Sequence, residues 1–312
     1  MSAFVVVNPR SASGRTKRDW QYISRALATS FPNFEFAFTR QRGDAPKLVR
    51  EALSGGHQEI IAIGGDGTIN EAVNGFFDAG GPTAPDAVFG FISSGTGGDF
   101  RKSFDIEAGL AEGLSRLVSS GIRRVDIGRV SCLGRGGVRV VRHFVNIASF
   151  GLSGLVVDSV NRAKAAKLFG GTFAFAFHSA LAMLFFRPRG VRIMLDTGFD
   201  EIASVSTVAI ANGKYFGGGM RVAPNAAVDD GLFDVVIIGA GERRQNLAGI
   251  RQIYKGEHLA NPAVRVMRAR KLVAAPISEN GSHPVFVETD GENAGMLPAT
   301  FEILPGALNL RC

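Results

Sequence analysis

A short apolar run that ends in a glycine-rich turn is the feature that most constrains the fold of this chain. Residues 60–63 read Ile-Ile-Ala-Ile, and Gly64-Gly65-Asp66-Gly67-Thr68 follows directly. An unbroken apolar run of this length is typical of a buried parallel strand, and glycine adopts backbone conformations that other residues avoid. A helix-like pattern follows over residues 68–77. The strand, the turn and the helix start together present free backbone N–H groups, which predicts a phosphate-binding site.

Asp66 is the unexpected residue in this turn, because a carboxylate repels phosphate. Carboxylate oxygens are, however, the ligands that Mg²⁺ prefers, and Mg²⁺ commonly accompanies nucleotide phosphates in proteins. We therefore predict that Asp66 holds a magnesium ion or its waters. The turn is then a site for a metal–nucleotide complex.

Strand and helix patterns alternate through the first part of the chain. The sequence predicts strands at residues 5–8, 34–39, 60–63 and 88–92. It predicts helices at residues 17–31, 44–53, 68–77 and 107–119. Alternation of this kind is typical of an α/β domain built on a doubly wound parallel sheet.

The pattern changes after about residue 125, where short β-branched segments separated by turn signals replace the alternation. These segments lie at residues 138–148, 191–195, 205–211, 233–238, 272–275 and 285–289, with a helix predicted over residues 241–255. The pattern favours a mainly β domain. We therefore predict an α/β domain over residues 1–125 and a β-rich domain over residues 126–296. The tail, residues 297–312, is expected to rejoin the first domain.

Composition and cysteine usage limit the class of protein. The 312 residues are 46% hydrophobic and 20% charged, which is ordinary for a globular protein. Cys132 and Cys312 lie far apart, so the sequence indicates neither a disulfide framework nor a zinc site. The N-terminus enters a strand pattern without a charged and apolar leader, and we therefore expect a cytoplasmic protein.

The formal net charge of +7 bears on the partners of the chain. Arginine-rich segments at residues 187–192 and 265–271 fit either a solvated basic face or contact with an anionic membrane surface. No nucleic-acid-binding module is recognisable, so we expect no nucleic-acid partner. Residues 168–186 are uncharged and rich in phenylalanine, which favours a buried or membrane-facing helix over a membrane-spanning one.

Two further loops of phosphate-binding character follow other predicted strands. Residues 8–15 read Asn-Pro-Arg-Ser-Ala-Ser-Gly-Arg, and residues 93–100 read Ser-Ser-Gly-Thr-Gly-Gly-Asp-Phe. The first is not a Walker A motif, and the turn at Gly64 lacks the third glycine of a Rossmann motif. Because ligands of open α/β sheets bind at the carboxyl ends of strands, the three loops predict one nucleotide site.

These motifs, taken in order, resemble the catalytic domain of the diacylglycerol and sphingosine kinase family. The first motifs are Asn8-Pro9, Gly64 to Thr68, and Gly95-Thr96 followed by Asp99-Phe100. The later ones are Val-Asp-Ile-Gly at residues 125–128, the segment at residues 224–233, and Asp290-Gly291-Glu292 with Pro298. The set spans almost the whole chain and is similar to that of the bacterial soluble lipid kinases.

The resemblance implies a two-domain fold of the NAD kinase and diacylglycerol kinase type, with the active site in the cleft between the domains. It implies ATP and Mg²⁺ as cofactors, and it makes residues 126–296 the lipid-binding domain. The residues implied to line the nucleotide are Asn8, Pro9, Arg10, Ser11, Ala12, Thr39, Gly64, Gly65, Asp66, Gly67, Thr68, Asn70, Glu71, Gly95 and Thr96.

The resemblance also assigns roles to acidic residues. The carboxylates implied around the active-site Mg²⁺ are those of Asp66, Asp99 and Asp126. The ligands implied for a second, structural Mg²⁺ are the Asp230 carboxylate and the backbone carbonyls of Ala227 and Leu232. In the Asp290-Gly291-Glu292 turn, one carboxylate would accept the proton of the lipid hydroxyl.

The function implied is an ATP-dependent lipid kinase that works at the surface of a membrane, peripherally and on anionic lipids. Diacylglycerol is the expected acceptor and phosphatidic acid the product, while a sphingoid base, ceramide or phosphatidylglycerol stays open, as does a homodimer. One alternative is a soluble kinase that resembles the NAD kinases. Another is a catalytically weak lipid- or nucleotide-binding module, suggested by Gly98, where the family pattern has Asn.

Overall fold

A computed structural model describes residues 2–94, 97–134, 136–156, 188–239, 251–277 and 284–312. The chain divides into two compact units. Unit 1 comprises Met1–Ile127 and Leu304–Cys312, and unit 2 comprises Gly128–Ile303. Three sequence-based predictions concern residues outside the described part, namely those for Gly95 and Thr96, for residues 168–186 and for most of the helix at residues 241–255.

Unit 1 is an α/β unit, as the alternating pattern predicts. Its elements in chain order are β1 (Ala3–Val7), α1 (Arg15–Arg18), α2 (Trp20–Ser30), β2 (Glu35–Phe38), α3 (Asp44–Ser54), β3 (Glu59–Gly64), α4 (Asp66–Asn74), β4 (Phe77–Asp78), β5 (Gly81–Pro82), β6 (Val88–Ser93), α5 (Asp99–Lys102), α6 (Leu110–Ser119) and the first half of β7 (Ile122–Leu133). Strands β6, β3, β1 and β2 are parallel neighbours in that order.

Three helix boundaries in unit 1 differ from the sequence-based predictions. The helix predicted over residues 17–31 is divided at Asp19, whose ψ of 4° is not helical, into α1 and α2. Helix α4 begins at Asp66, two residues earlier than predicted. Helix α6 begins only after Gly109, which adopts φ +139°, a value that a helical residue cannot take.

Unit 2 is built of antiparallel strands. Its further strands are β8 (Arg139–Phe144), β9 (Ile147–Gly151), β10 (Arg189–Leu195), β11 (Asp200–Ala211), β12 (Phe233–Gly239), β13 (Val264–Ala269), β14 (Lys271–Pro276), β15 (Phe286–Thr289) and β16 (Glu292–Arg311), whose last residues belong to unit 1. The pairing runs β13–β12–β11–β10–β14–β16, and β9 pairs with β11 and β15. Buried apolar side chains of these strands form the core of the unit, with Phe144 stacked on Phe233 and Phe150 on Phe301.

One strand of unit 2 was predicted as continuous and is interrupted. Residues 138–148 form β8 and β9, separated by Val145 and Asn146. The backbone N–H groups of these two residues hydrogen-bond to the Asp290 carboxylate, at 2.8 and 3.0 Å, rather than to a neighbouring strand. The interruption therefore depends on a residue about 145 positions later in the chain, which no local pattern indicates.

Within the part of the chain that the structure describes, no helix combines the length and the apolar character that crossing a membrane requires.

The C-terminal strand is fixed in unit 1 by a buried ion pair. Residues Asn309 and Leu310 of β16 align in parallel with β6. The Arg311 guanidinium binds both oxygens of Glu59, at 2.6 and 2.7 Å, and Glu59 is 4% exposed. Bidentate geometry of this kind gives the strongest arginine–carboxylate pairs.

We predict that Arg311→Met lowers the free energy of unfolding by about 3 kcal/mol, because it leaves the Glu59 carboxylate buried without its counter-charge. Chemical denaturation with urea measures the change. Arg192→Met is the matched control, since Arg192 makes the same two-bond contact with Asp200 on an exposed surface. Equal loss of stability in the two variants would contradict the role given to burial.

Candidate functional site

The turn between β3 and α4 has no space for a side chain at Gly64. A Cβ placed there would lie 2.5 Å from the Cβ of Thr68 and 2.6 Å from its hydroxyl oxygen. Strand β3 is buried along its whole length, and α4 begins two residues after it ends. The chain can therefore reverse directly into the helix, which brings the first backbone N–H groups of α4 to the carboxyl edge of the sheet.

The loop after β1 is hydrogen-bonded to this turn. Asn8 donates from Nδ2 to the Thr68 hydroxyl at 2.9 Å, and its Oδ1 accepts the backbone N–H of Arg10 at 3.0 Å. Ala12 and Ser13 adopt positive φ values of 50° and 57°, a conformation that non-glycine residues rarely take. These two residues turn the backbone of the loop sharply after Pro9.

Hydroxyl groups connect the same loop to the end of β6. The Ser11 hydroxyl donates to the Asn8 carbonyl oxygen at 2.8 Å and lies 2.7 Å from the Thr16 hydroxyl. The Ser94 hydroxyl donates to Ser11 at 2.9 Å, and the Ser94 backbone N–H donates to the Gly64 carbonyl at 2.8 Å. The sequence did not single out Ser94 or Thr16 for this contact. Hydrogen bonds thus join the carboxyl ends of β1, β3 and β6.

The Asp66 carboxylate bridges the turn and the start of α5. Its Oδ2 accepts the backbone N–H of Asp99 at 3.2 Å, and the N–H groups of Gly98 and Phe100 also bond to the carboxylate. Burial raises the pKa of Asp66, and the charge of Asp99 raises it further. Among the described residues, no hydrogen-bond partner reaches the buried Oδ1 of Asp66.

The carboxylates of Asp66 and Asp99 suit a magnesium ion, which would compete with the Lys102 ammonium group, 3.5 Å from Oδ1 of Asp99. The charge of Asp99 raises the pKa of Asp66, and a bound cation would relieve this repulsion between the two carboxylates. The Oδ1 atom of Asp66 is the oxygen that could serve as a ligand. The third carboxylate predicted for this network is not grouped with them. Within the described residues, no three Asp, Glu, His or Cys side chains form a metal-sized cluster. Asp126 instead accepts the backbone N–H of Gly306 at 2.7 Å, in the returning C-terminal segment.

The other residues of unit 1 that were predicted to line the nucleotide lie on neighbouring elements. The backbone N–H of Thr39 donates to the Val7 carbonyl at 2.9 Å, which places it at the end of β2. Glu71, on α4, accepts the backbone N–H of Gly43 at 2.9 Å, and burial raises its pKa. Asn70 is buried on α4, where its backbone carbonyl accepts a bond from Asn74. Glu71 thus holds the loop that follows β2.

Gly98, where the family pattern has Asn, adopts φ +63°. A Cβ built on it would lie 2.5 Å from Nε of Arg101. The Arg101 guanidinium donates to the Ile106 carbonyl at 2.9 Å. The arginine side chain therefore occupies the space beside Gly98, and an Asn at residue 98 would have to displace it.

The proposed structural metal ligand in unit 2 already has a cationic partner. One oxygen of Asp230 accepts the Leu232 backbone N–H at 3.0 Å, and the other pairs with the Arg268 guanidinium. Arg268 lies across from Asp234 in the β12–β13 pair and also contacts its carboxylate at 3.3 Å. The Asp230 carboxylate in this structure therefore does not suit a metal ion. The assignment of Ala227, Asp230 and Leu232 stays a prediction that requires Arg268 to move.

The two predicted proton acceptors flank a tight hairpin between β15 and β16. Asp290 and Gly291 both have positive φ, at 47° and 83°. The Asp290 carboxylate accepts the backbone N–H groups of Val145, Asn146 and Ile147, at 2.8 to 3.0 Å. Asp290 therefore holds the β8–β9 junction, and its role as proton acceptor stays a prediction. Glu292 is the first residue of β16 and is half-buried.

Glu288 is a buried acid beside this turn that the sequence analysis missed. It is 1% exposed on β15, opposite Ser149 of β9. The Ser149 hydroxyl bonds to Oε1 of Glu288, and the Gly291 backbone N–H donates to Oε2 at 2.9 Å. Burial raises the pKa of Glu288 to about 8. An acidic residue within the apolar pattern Phe-Val-Glu-Thr was the only signal available.

We predict that Asp66→Asn raises the thermal unfolding midpoint at neutral pH in the absence of nucleotide and metal. Folding raises the pKa of the Asp66 carboxyl, so its ionisation destabilises the folded protein as pH rises through that pKa. Asparagine cannot ionise, so the variant avoids this loss. The same variant should lose at least a hundredfold in kcat if Asp66 holds the metal. Differential scanning fluorimetry and a rate assay measure the two effects. Lower stability together with an unchanged rate would remove Asp66 from the site.

Glu288→Gln should change how stability depends on pH. With a pKa near 4.5 in the unfolded chain and about 8 in the fold, Glu288 favours the folded state fully below pH 4.5 and loses that contribution as pH rises towards 8. The variant should therefore gain stability over the wild type steadily between pH 5 and pH 8. Urea unfolding of both proteins at several pH values measures the difference. A constant difference across this range would mean that Glu288 is ionised in the fold.

Two family models match the chain, one in each half. The model described as the diacylglycerol kinase catalytic domain matches residues 2–130. The model described as the YegS C-terminal NAD kinase beta sandwich-like domain matches residues 146–312, which is more than half of the chain.

Similar proteins carry matching names. A diacylglycerol kinase of Bacillus subtilis strain 168 is 28% identical over 309 residues, which cover 96% of this chain and 92% of that protein. A diacylglycerol kinase of Staphylococcus saprophyticus is 27% identical over 306 residues, covering 96% of this chain and 91% of that protein. One of Mycobacterium tuberculosis strain H37Rv is 26% identical over 269 residues, covering 86% and 81%.

Solved structures show the same fold. The crystal structure of a diacylglycerol kinase from Bacillus anthracis superposes with a TM-score of 0.70 at 21% identity, over 99% of this chain and 96% of that one. Yeast NADH kinase superposes with a TM-score of 0.51 at 12% identity, over 99% and 82%. The fold is the two-domain NAD kinase and diacylglycerol kinase type that the motifs imply. The chain belongs to the family of the YegS C-terminal NAD kinase beta sandwich-like domain, preceded here by a match to the diacylglycerol kinase catalytic domain.

Proposed function

We propose that this protein transfers the γ-phosphoryl group of ATP to the hydroxyl of diacylglycerol, giving phosphatidic acid and ADP. The observation that carries the phosphoryl-transfer part is the Asp66 turn, where backbone N–H groups, a helix start and two mutually repelling carboxylates meet. Diacylglycerol is proposed because relatives that match nearly the whole chain carry that name.

Binding of the nucleotide would use the loops at the carboxyl edge of the sheet. The N–H groups that begin α4 suit phosphate oxygens, because the end of a helix carries partial positive charge. Arg10 lies on the curled loop after β1 and is exposed, so its guanidinium is available to a phosphate. The conformation of this loop is set by Asn8 and Thr68 before any ligand binds.

Asp66 and Asp99 are the residues that would hold Mg²⁺. The ion would supply positive charge to neutralise the phosphate oxygens while the phosphoryl group moves, which is where most catalysis of this reaction arises. The protein contributes the position of both carboxylates: Asp66 begins α4, and Asp99 begins α5. Their spacing is fixed by the bond between the Asp99 N–H and Asp66.

In the transfer step, the lipid hydroxyl oxygen forms a bond to the γ-phosphorus, and the bond from that phosphorus to the ADP oxygen breaks. The hydroxyl proton must pass to a base, for which we propose one carboxylate of Asp290 and Glu292. Asp290 already accepts three backbone N–H bonds, so removing its side chain would loosen the β8–β9 junction. Loss of activity in Asp290→Ala therefore does not identify the base.

A reaction on a water-insoluble acceptor would take place at a membrane surface. We propose that the protein is cytoplasmic and associates peripherally with anionic lipids. The net charge of +7 supports such an association, since anionic lipid surfaces attract clustered Lys and Arg.

We expect purified protein with ATP and Mg²⁺ to phosphorylate diacylglycerol presented in mixed micelles, in preference to sphingosine, ceramide and phosphatidylglycerol. Thin-layer chromatography of the radiolabelled lipid measures the product. Glu292→Gln keeps the shape of the side chain and should lose at least a hundredfold in kcat if Glu292 is the base. Asp290→Asn removes one of the two oxygens that bind the β8–β9 junction, so a loss of activity identifies Asp290 as the base only if the unfolding midpoint is unchanged. Circular dichroism spectra and unfolding midpoints serve as controls for folding.

Two results would contradict the proposal. Formation of NADP from NAD and ATP, with every lipid left unmodified, would favour the alternative of a soluble kinase that resembles the NAD kinases. Binding of ATP in calorimetry without turnover on any acceptor would indicate a binding module. In that case Gly98→Asn tests whether the missing Asn explains the inactivity, although Arg101 would have to move to admit it.

A further inference from the structure

A row of aromatic side chains lies along the edge strand of unit 1. Within the described residues, β2 pairs only with β1, so its other edge carries no strand. Phe36 and Phe38 alternate along β2 and therefore point to one face, and Phe34 directly precedes the strand. Trp20, at the start of α2, packs against all three, with ring centroids at 6.4, 4.7 and 5.5 Å. We call these four side chains the aromatic edge.

Phe36 and Phe38 are the exposed members of the aromatic edge, whereas Trp20 and Phe34 are partly buried and pack against the core of unit 1. Phe36 is 46% exposed and Phe38 is 37% exposed, whereas every residue of β3 is buried. The rings also contact one another, with Phe36 and Phe38 at 5.5 Å and Phe34 and Phe36 at 6.3 Å. A connected, partly exposed aromatic group is typical of a surface that binds a partner.

Positive charge flanks the aromatic edge on both sides in the sequence. Arg15, Lys17 and Arg18 are exposed on α1, directly before Trp20, and Arg40 and Arg42 are exposed directly after β2. Glu35 is the exposed acid on the strand itself. Because neighbouring residues of a strand point to opposite faces, Glu35 lies away from the phenylalanines, and it contacts His57 at 3.8 Å.

This combination fits an anionic lipid surface better than a second copy of the chain. The flanking segments, residues 15–19 and 40–44, contain five cations and two acids, Asp19 and Asp44, with Asp19 paired to Arg18 at 3.3 Å. A second copy seated on the same face would bring this excess of positive charge against itself, which opposes such a contact. Anionic lipids supply the complementary charge, while aromatic rings partition favourably into the boundary between headgroups and acyl chains. Charge complementarity therefore selects the bilayer as the occupant.

We propose that the aromatic edge docks on the surface of an anionic bilayer, with Phe36 and Phe38 entering it and Trp20 directly behind them, while the neighbouring arginines and Lys17 bind lipid headgroups. The inference rests on the proposed function, because it names the surface through which a lipid kinase would reach its acceptor. It also specifies a site that the phenylalanine-rich segment at residues 168–186, which lies outside the described residues, does not include.

Trp20 makes the proposal directly measurable, because it is the only tryptophan of the chain. Vesicles of phosphatidylcholine with 30% phosphatidylglycerol should shift its fluorescence emission to the blue, and brominated acyl chains should quench it. Vesicles of phosphatidylcholine alone should do neither. Added salt should weaken binding, since the cations contribute through screened electrostatic attraction.

The double variant Phe36→Gln/Phe38→Gln should bind the anionic vesicles at least tenfold more weakly in co-sedimentation. Tyr22→Gln is the matched control, because Tyr22 is 63% exposed on α2 and makes no ring contact with the aromatic edge among the described residues. We expect the control to bind within twofold of the wild type. Unfolding midpoints of all three proteins verify that the variants are folded.

Three results of the vesicle measurements would overturn the proposal. The wild type could fail to bind anionic vesicles, it could bind them with no change in Trp20 emission, or the double variant could bind as well as the control. A blue shift that depends on protein concentration without vesicles, accompanied by dimers in analytical ultracentrifugation, would show a second copy as the occupant and would equally overturn it.

Failure of this proposal is distinguishable from failure of the proposed function. The vesicle measurements contain neither ATP nor diacylglycerol, so they report on the surface alone. If both proposals hold, the double variant should retain wild-type activity on a short-chain, water-soluble diacylglycerol and lose about tenfold on diacylglycerol in anionic vesicles. A protein that binds vesicles through Trp20 and phosphorylates no lipid would retain this proposal and reject the function.

Discussion

The contact between Gly64 and Thr68 is the constraint on which the site depends. Thr68 fills the space where any side chain at residue 64 would stand, so β3 can pass into α4 with one residue between them. The Thr68 hydroxyl, fixed in this position, accepts the bond that orients Asn8 and thus the loop after β1. A larger residue at 64 would move the helix start, and with it the loops that depend on its position.

The acidic residues of the protein show two ways to keep a carboxyl group buried. Asp66 is held by backbone N–H groups at one oxygen and is destabilised by burial and by Asp99, an arrangement that a cation would relieve. Glu288 is fully enclosed by hydrogen-bonding partners, and its raised pKa favours the protonated form. The first environment suits a ligand, whereas the second suits a fixed position in the core. Asp230, in contrast, is exposed, and the Arg268 guanidinium neutralises its charge.

Local patterns were sufficient for most strands and helices and for the turn after β3, and insufficient wherever a distant residue decides the structure. The apolar run of β3 and the glycines after it predict the strand and the turn, because both properties belong to adjacent residues. The interruption between β8 and β9 could not be predicted, because Asp290 causes it. The pairing of Asp230 with Arg268 was missed for the same reason: β13 was interpreted only as a basic surface segment, so its register against β12 was unknown. Asp126 was predicted to join Asp66 and Asp99, and the return of the C-terminal segment gives it Gly306 instead.

The central claim is that the Asp66 turn binds a metal–nucleotide complex, and calorimetric titration of ATP tests it most directly. Titrations of the wild type and of Asp66→Asn are compared with Mg²⁺ present and with the metal removed by a chelator. We expect tight binding only for the wild type with Mg²⁺, and at least tenfold weaker binding in the other three conditions. Equal affinity with and without the metal, or an unchanged affinity in the variant, would contradict it.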